Sequence, residues 1–210
     1  MDKRIVPARL WPAVLLVGSF TALLYAVVAL DRVLPADLRQ HGVMPRSLSG
    51  LDGILWMPLL SPGWEYLTAG ILPLVVLGFL VTAGGLRQWV AVTTTIWLVC
   101  GLGVWLISER NTIGVMGVAT GWLVFLVARG IATRGFLQLG VAGAVLLYWG
   151  GVLAYAVPSR FWFYIDGDWY RNSWQAHLFG AVGGLLAMWL VARQNRADKV
   201  ASLPLSSREE

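Results

Sequence analysis

Six long runs of apolar residues, none of which contains a charged side chain, divide the 210-residue chain. Each run is about 20 residues long, which is the length that an α-helix needs to cross the roughly 30 Å hydrocarbon core of a bilayer. The runs occupy residues 10–30, 67–86, 88–108, 111–128, 135–157 and 174–192. The pattern therefore predicts an all-α, polytopic membrane protein with six transmembrane helices.

The composition excludes the other broad classes of protein. Hydrophobic residues make up 58% of the chain and charged residues 13%, whereas a soluble domain carries about 25% charged residues. A chain this apolar is not disordered. Its single cysteine, Cys100, excludes a scaffold of disulfide bonds. Only the membrane class fits these numbers.

The distribution of charges predicts the orientation. The N-terminus, the tail and the turns on their side carry ten Lys and Arg against four Asp and Glu, while the opposite side carries six against seven. Cytoplasmic loops are enriched in Lys and Arg, so we expect both termini in the cytoplasm. The formal net charge of +5 then reflects topology and contact with anionic lipid. The charges are scattered and do not line one face, so nucleic acid is not an expected partner.

The predicted organisation is a cytoplasmic N-terminus (1–9), a membrane domain (10–192) and a disordered polar tail (193–210). A long outer loop, 31–66, contains a short apolar stretch that suits a loop in the membrane interface. The outer loop 158–173 combines six aromatic residues with two aspartates. It has two interpretations, an aromatic belt that anchors the neighbouring helices or a lid over a cavity.

Among the Asp, Glu, Lys, Arg and His residues of the chain, only His177 lies inside an apolar run. The lack of charged residues in the runs argues against ion-coupled transport and proton pumping. His177 is a candidate functional residue, and the alternative is a histidine that simply bonds to a neighbouring helix. We expect His41, in the first outer loop, to be exposed to solvent. Cys100 is expected to be an inert packing thiol.

Two pairs of glycines have the spacing that lets helix backbones approach closely. Gly117 and Gly121 lie in the fourth run, and Gly180 and Gly184 lie in the sixth. We expect the two helices to pack face to face, which would direct His177 toward the start of the fourth helix near residues 114–117.

Five segments, taken in order, resemble the rhomboid family of intramembrane serine proteases, in particular its short six-helix bacterial forms. The resemblance covers residues 38–192. The segments are HGVMPR (41–46), LDGILWMPLL (51–60), LPLVVLG (72–78), IGVMG (113–117) with the following Gly-Trp pair (121–122), and SWQAHLFG (173–180) with Gly184. The resemblance implies a six-helix rhomboid bundle in a bacterial inner membrane.

Rhomboid chemistry, as the resemblance implies it, uses a serine in a Gly-x-Ser-Gly motif and a histidine base in the sixth helix. A His-x-x-x-Asn pair in the second helix helps to stabilise the oxyanion. In this chain His177 matches the base. Met116 stands at the serine position, between Gly114 and Gly117, and Tyr66 and Gly70 stand at the oxyanion positions. Without a nucleophile, acyl transfer by this mechanism has no first step.

Three hydroxyl side chains lie near the lost nucleophile. Thr120 is one helical turn beyond Met116 on the same face, where we expect it to bond a backbone carbonyl of its own helix. Ser108 and Thr112 flank the helix start but lack the glycine-framed setting. We expect none of them to replace the serine.

The sequence therefore predicts a rhomboid pseudoprotease that binds transmembrane segments of client membrane proteins and does not cleave them. The alternative is an active serine-type endopeptidase with an unconventional nucleophile. A channel or transporter for a neutral solute stays open as a third function. The expected partners are bilayer lipid and client transmembrane segments, and no cofactor or metal is expected.

Overall fold

The computed structural model describes residues 6–134, 136–150, 162–165, 168–171 and 173–201. Within them the chain forms seven α-helices, one pair of antiparallel strands and three short 3-10 helices. The α-helices are α1 (Leu10–Val33), α2 (Gly53–Trp56), α3 (Trp64–Val81), α4 (Leu86–Ile107), α5 (Met116–Thr133), α6 (Phe136–Trp149) and α7 (Trp174–Ala201). The strands are β1 (Trp162–Ile165) and β2 (Asp168–Arg171), and the 3-10 helices are Leu38–His41, Leu48–Gly50 and Thr82–Gly84.

The predicted class, a helical membrane protein, is confirmed. Five helices of the described part, α1, α3, α4, α5 and α7, are long and apolar enough to cross a membrane. The fifth predicted run, 135–157, corresponds to α6, and its residues 151–157 lie outside the described part of the chain. The count of six spanning helices and the orientation of the termini stay predictions.

The helices extend further than the charge-free runs. The helix α1 continues through Asp31 and Arg32 to Val33, and α7 continues to Ala201, across the first nine residues that the polarity pattern assigned to a disordered tail. Residues 193–201 consist largely of Ala, Arg, Gln and Lys, which favour helix even where the surface is polar. Residues 202–210 lie outside the described part.

The core of the bundle surrounds α5, and α1, α3, α4, α6 and α7 all contribute buried residues to it. Trp122 of α5 packs against Phe20 and Trp89, with ring centroids 6.1 and 5.8 Å away. Its indole N–H donates a hydrogen bond of 3.1 Å to the Thr93 hydroxyl. The outward faces remain apolar, as Leu147 with 88% of its surface exposed illustrates. An apolar outer surface of this kind suits contact with lipid chains.

The long loop that joins α1 to α3 packs against the bundle to a greater extent than an interfacial loop would require. In its apolar stretch, Met57 is fully buried and Ile54 is 6% exposed, whereas Leu55 and Trp56 face outward. The indole of Trp97 in α4 donates a 2.8 Å hydrogen bond to the Ile54 carbonyl. The stretch is therefore a short helix, α2, that is held against α4.

Arg129 is a buried charged side chain near the C-terminal end of α5, only 5% exposed. The fourth apolar run ends one residue before it, and the sequence pattern therefore assigned it to the following loop. The helix continues to Thr133, so Arg129 belongs to a helix and not to a loop.

The aromatic loop 158–173 contains a pair of strands that the sequence analysis did not predict. Strands β1 and β2 pair in antiparallel register, with Trp162 opposite Arg171 and Ile165 opposite Asp168. Aromatic and β-branched residues favour extended backbone, which accounts for strands in this segment. The other residues of loop 158–173, apart from Ser173, lie outside the described part.

Candidate functional site

The start of α5 is fixed by the long loop that joins α1 to α3. Gly114 has φ +122°, a backbone conformation that residues with a β-carbon rarely adopt. Its N–H donates a 2.8 Å hydrogen bond to the carbonyl of buried Met57. The helix α5 then begins at Met116, so the loop that carries α2 sets the position of this residue.

Met116 and Gly70 are direct neighbours across the α3–α5 contact. A β-carbon placed on Gly70 would touch Cε of Met116 and would lie 2.7 Å from its sulfur. The methionine side chain therefore occupies the space that any side chain at position 70 would enter. Both residues are partly exposed, so this side of the site lies at the surface of the bundle.

Tyr66 lies one helical turn before Gly70, in the first turns of α3. Its hydroxyl oxygen is 3.4 Å from the point where a β-carbon on Gly114 would sit. Tyr66 therefore places a phenol beside the entry to α5, and together with Gly70 it brings both predicted oxyanion positions next to the predicted nucleophile position.

The helices α5 and α7 run in the same direction and touch through their glycines. The α-carbon of Gly180 packs on the carbonyl of Gly117, and that of Gly184 packs on the carbonyl of Gly121. A β-carbon on Gly121 would in turn lie 2.7 Å from the carbonyl oxygen of Gly180. The backbones approach so closely because these four residues have no side chains.

His177, in the first turn of α7, is 4% exposed and reaches α5 at Thr120. Its Nδ1 lies 2.7 Å from the Thr120 hydroxyl oxygen. The ring therefore contacts α5 about one helical turn further along the chain than residues 114–117, the position that the glycine spacing predicted. The Thr120 hydroxyl also donates to the Met116 carbonyl at 2.9 Å, which is the bond within its own helix that we expected.

The remaining candidate residues are engaged elsewhere. The Cys100 thiol is buried and donates to the carbonyl of Ala176 at 3.2 Å, in the interface of α4 with α7. The hydroxyl oxygens of Ser108 and Thr112 lie 3.2 Å apart, and both hydroxyls donate to the carbonyl of Arg110. His41 is exposed at the end of a 3-10 helix.

The site brings the predicted base, His177, near a nonreactive side chain at the predicted nucleophile position, Met116. The Met116 thioether has no proton to give and forms no acyl ester. Thr120 contacts the histidine but is fully buried and sits within α5, where backbone N–H groups are already bonded inside the helix.

The hydrogen bond between Thr120 and His177 is the feature that the sequence analysis missed. The available signal was the position of Thr120 four residues after Met116, on the helix face that the glycines turn toward α7. In the part of the chain that the structure describes, His, Cys, Asp and Glu do not gather in groups of three that could hold a metal ion.

The helices and the site define a multi-pass membrane protein that holds a histidine between two closely packed helices, α5 and α7. The family model for the Rhomboid domain matches residues 52–194, a range that includes Tyr66, Met116 and His177. The chain belongs to the rhomboid family.

Mycobacterial proteins of uncharacterized function are similar to this chain. One from Mycobacterium tuberculosis is 37% identical over 185 residues, which cover 85% of this chain and 75% of the relative. Another from Mycobacterium leprae is 36% identical over 194 residues, or 87% of this chain and 74% of the relative. No solved structure matches the chain.

Proposed function

We propose that this rhomboid-family protein is a pseudoprotease, which binds transmembrane segments of other membrane proteins without cleaving them. The single observation that carries the proposal is Met116, which stands at the nucleophile position of the rhomboid pattern and fills the space over Gly70. A methionine at this position removes the reactive group. It also supplies a flexible apolar surface, which adapts to irregular partners.

The other two replacements support the same function. Tyr66 and Gly70 stand where the rhomboid pattern has its oxyanion donors, and the loss of one such donor alone slows catalysis about a hundred- to a thousand-fold. Gly70 contributes no side chain, and Tyr66 contributes an aromatic surface beside the start of α5. Relative to the rhomboid pattern, methionine, tyrosine and glycine therefore replace the serine, the histidine and the asparagine.

The proposed location follows from charge and hydropathy. We place the protein in the bacterial inner membrane with both termini in the cytoplasm, because the Lys and Arg excess lies on the side of the termini. The candidate site then lies near the outer surface. A client helix would enter from the bilayer, on the side where Tyr66, Gly70 and Met116 are partly exposed.

Site-directed crosslinking tests client binding. With a photoreactive amino acid in place of Tyr66, we expect adducts in which mass spectrometry finds a transmembrane segment of another protein. The matched control carries the same amino acid in place of Leu15, which is 50% exposed on the outer face of α1. Equal protein adducts from both positions, or lipid adducts only, would contradict a binding role for the site.

The alternative, an active endopeptidase, finds one supporting observation in the contact between Thr120 and His177. A fluorophosphonate probe distinguishes the two functions, because it phosphonylates an activated hydroxyl with loss of fluoride. We expect no labelling of the wild-type protein in detergent or liposomes. Labelling that disappears in both Thr120→Val and His177→Ala would establish a threonine nucleophile and refute the pseudoprotease.

A further inference from the structure

Three groups form a linear hydrogen-bond chain between α7 and α5. The Nδ1 atom of His177 is 2.7 Å from the hydroxyl oxygen of Thr120. That oxygen is 2.9 Å from the carbonyl oxygen of Met116. His177 and Thr120 are 4% and 0% exposed, so bulk water does not compete for these bonds.

The direction of the chain follows from its proton count. A carbonyl oxygen only accepts hydrogen bonds, and a threonine hydroxyl has a single proton to donate. Two oxygens 2.9 Å apart attract each other only if a proton lies between them, and here that proton must belong to Thr120. The hydroxyl therefore donates to Met116 and has only lone pairs to offer His177.

The histidine must then supply the proton of the second bond. We propose that Thr120 is a positioning residue that fixes His177 as the Nδ1–H tautomer, with the lone pair on Nε2. In neutral histidine one ring nitrogen carries the proton and the other accepts, and the partner of the first decides which. The protein thus keeps the imidazole in a base-competent form although the nucleophile position holds methionine.

This assignment goes beyond the proposed function and does not depend on it. The tautomer itself is independent of any client and can be measured on the protein alone.

Nitrogen-15 NMR of the full chain in detergent micelles or lipid tests the proposal. The chain has two histidines, so the exposed-loop variant His41→Gln leaves His177 as the only source of imidazole signals. At about pH 8, above the ordinary histidine pKa of roughly 6.5, we expect a protonated, pyrrole-type Nδ1 and an unprotonated, pyridine-type Nε2. Couplings to the ring carbon-bound protons assign the two nitrogens.

Variants of Thr120 separate positioning from packing. Thr120→Ser retains the hydroxyl and is expected to keep the wild-type tautomer. Thr120→Val keeps the shape but loses the acceptor, and we expect the Nδ1–H population to fall several-fold. If Thr120→Val does not fold, the spectrum of the protein with native Thr120 still shows which tautomer of His177 is present.

Two results would overturn the assignment: an Nε2–H tautomer in the protein with native Thr120, or the same tautomer population in Thr120→Val as in Thr120→Ser. Neither result depends on client capture. Failure of the crosslinking experiment at position 66 would refute the binding function and leave the tautomer measurement intact.

Discussion

Gly180→Ala is expected to destabilise the folded bundle by about 2 kcal/mol or more, in the upper part of the range for overpacked sites. The new β-carbon would collide with the carbonyl of Gly117. A backbone carbonyl inside a helix cannot swing away as a side chain can, so α5 and α7 must separate. Separation would also pull the ring of His177 away from Thr120.

Matched glycine variants show whether the effect belongs to the interface. At Gly18 in α1 and Gly143 in α6, a β-carbon would have no neighbouring atom within 4 Å. Alanine at either site should be neutral or stabilising by up to about 1 kcal/mol, because alanine favours helix over glycine. Gly70→Ala should cost little as well, since it meets only the flexible end of Met116.

Thermal unfolding in one detergent, followed by circular dichroism and by retention of soluble protein, measures these differences. The order of stability should place Gly180→Ala well below the wild type, and Gly18→Ala and Gly143→Ala at or above it. If Gly180→Ala unfolds together with Gly143→Ala, the close approach of α5 and α7 does not limit the stability of the fold.

Hydropathy predicts the spanning helices of this chain because each must bury its backbone polar groups across a fixed hydrocarbon thickness. It does not predict where a helix ends once the chain has left the hydrocarbon. The helix α7 continues to Ala201 and α5 continues past Arg129 to Thr133, since helix propensity and packing, not apolarity, decide those ends. The packing of α2 on α4 likewise depends on tertiary contacts.

The sequence likewise predicts one part of the candidate site and not another. Glycine spacing is a local feature, so a close approach of α5 and α7 could be predicted from Gly117, Gly121, Gly180 and Gly184. The partner of His177 could not, because it depends on the depth and rotation of two helices that are 57 residues apart in the chain at this contact. A shift of one helical turn separates Met116 from Thr120, and hydropathy does not resolve a shift of that size.

The second large effect concerns Met116, the residue at the predicted nucleophile position. We expect Met116→Ser alone to react with a fluorophosphonate at least about a hundred-fold more slowly than the triple variant Met116→Ser, Tyr66→His, Gly70→Asn. The single variant restores a hydroxyl but not the oxyanion donors, and one donor is worth about a hundred- to a thousand-fold in rate. Labelling followed over time by in-gel fluorescence gives the two rate constants.

The structure also predicts that these substitutions depend on one another. In the wild type a side chain at position 70 would run into Sδ and Cε of Met116, so Gly70→Asn alone should be less well tolerated than Gly70→Asn with Met116→Ser. Serine removes both atoms and leaves room for the asparagine amide.

His177→Ala in the triple variant is the control, because it removes the base and should abolish labelling. Equal rates for the single and triple variants would show that the oxyanion positions do not limit the reaction. A triple variant that folds but stays unlabelled would show that His177 does not act as a base at position 116.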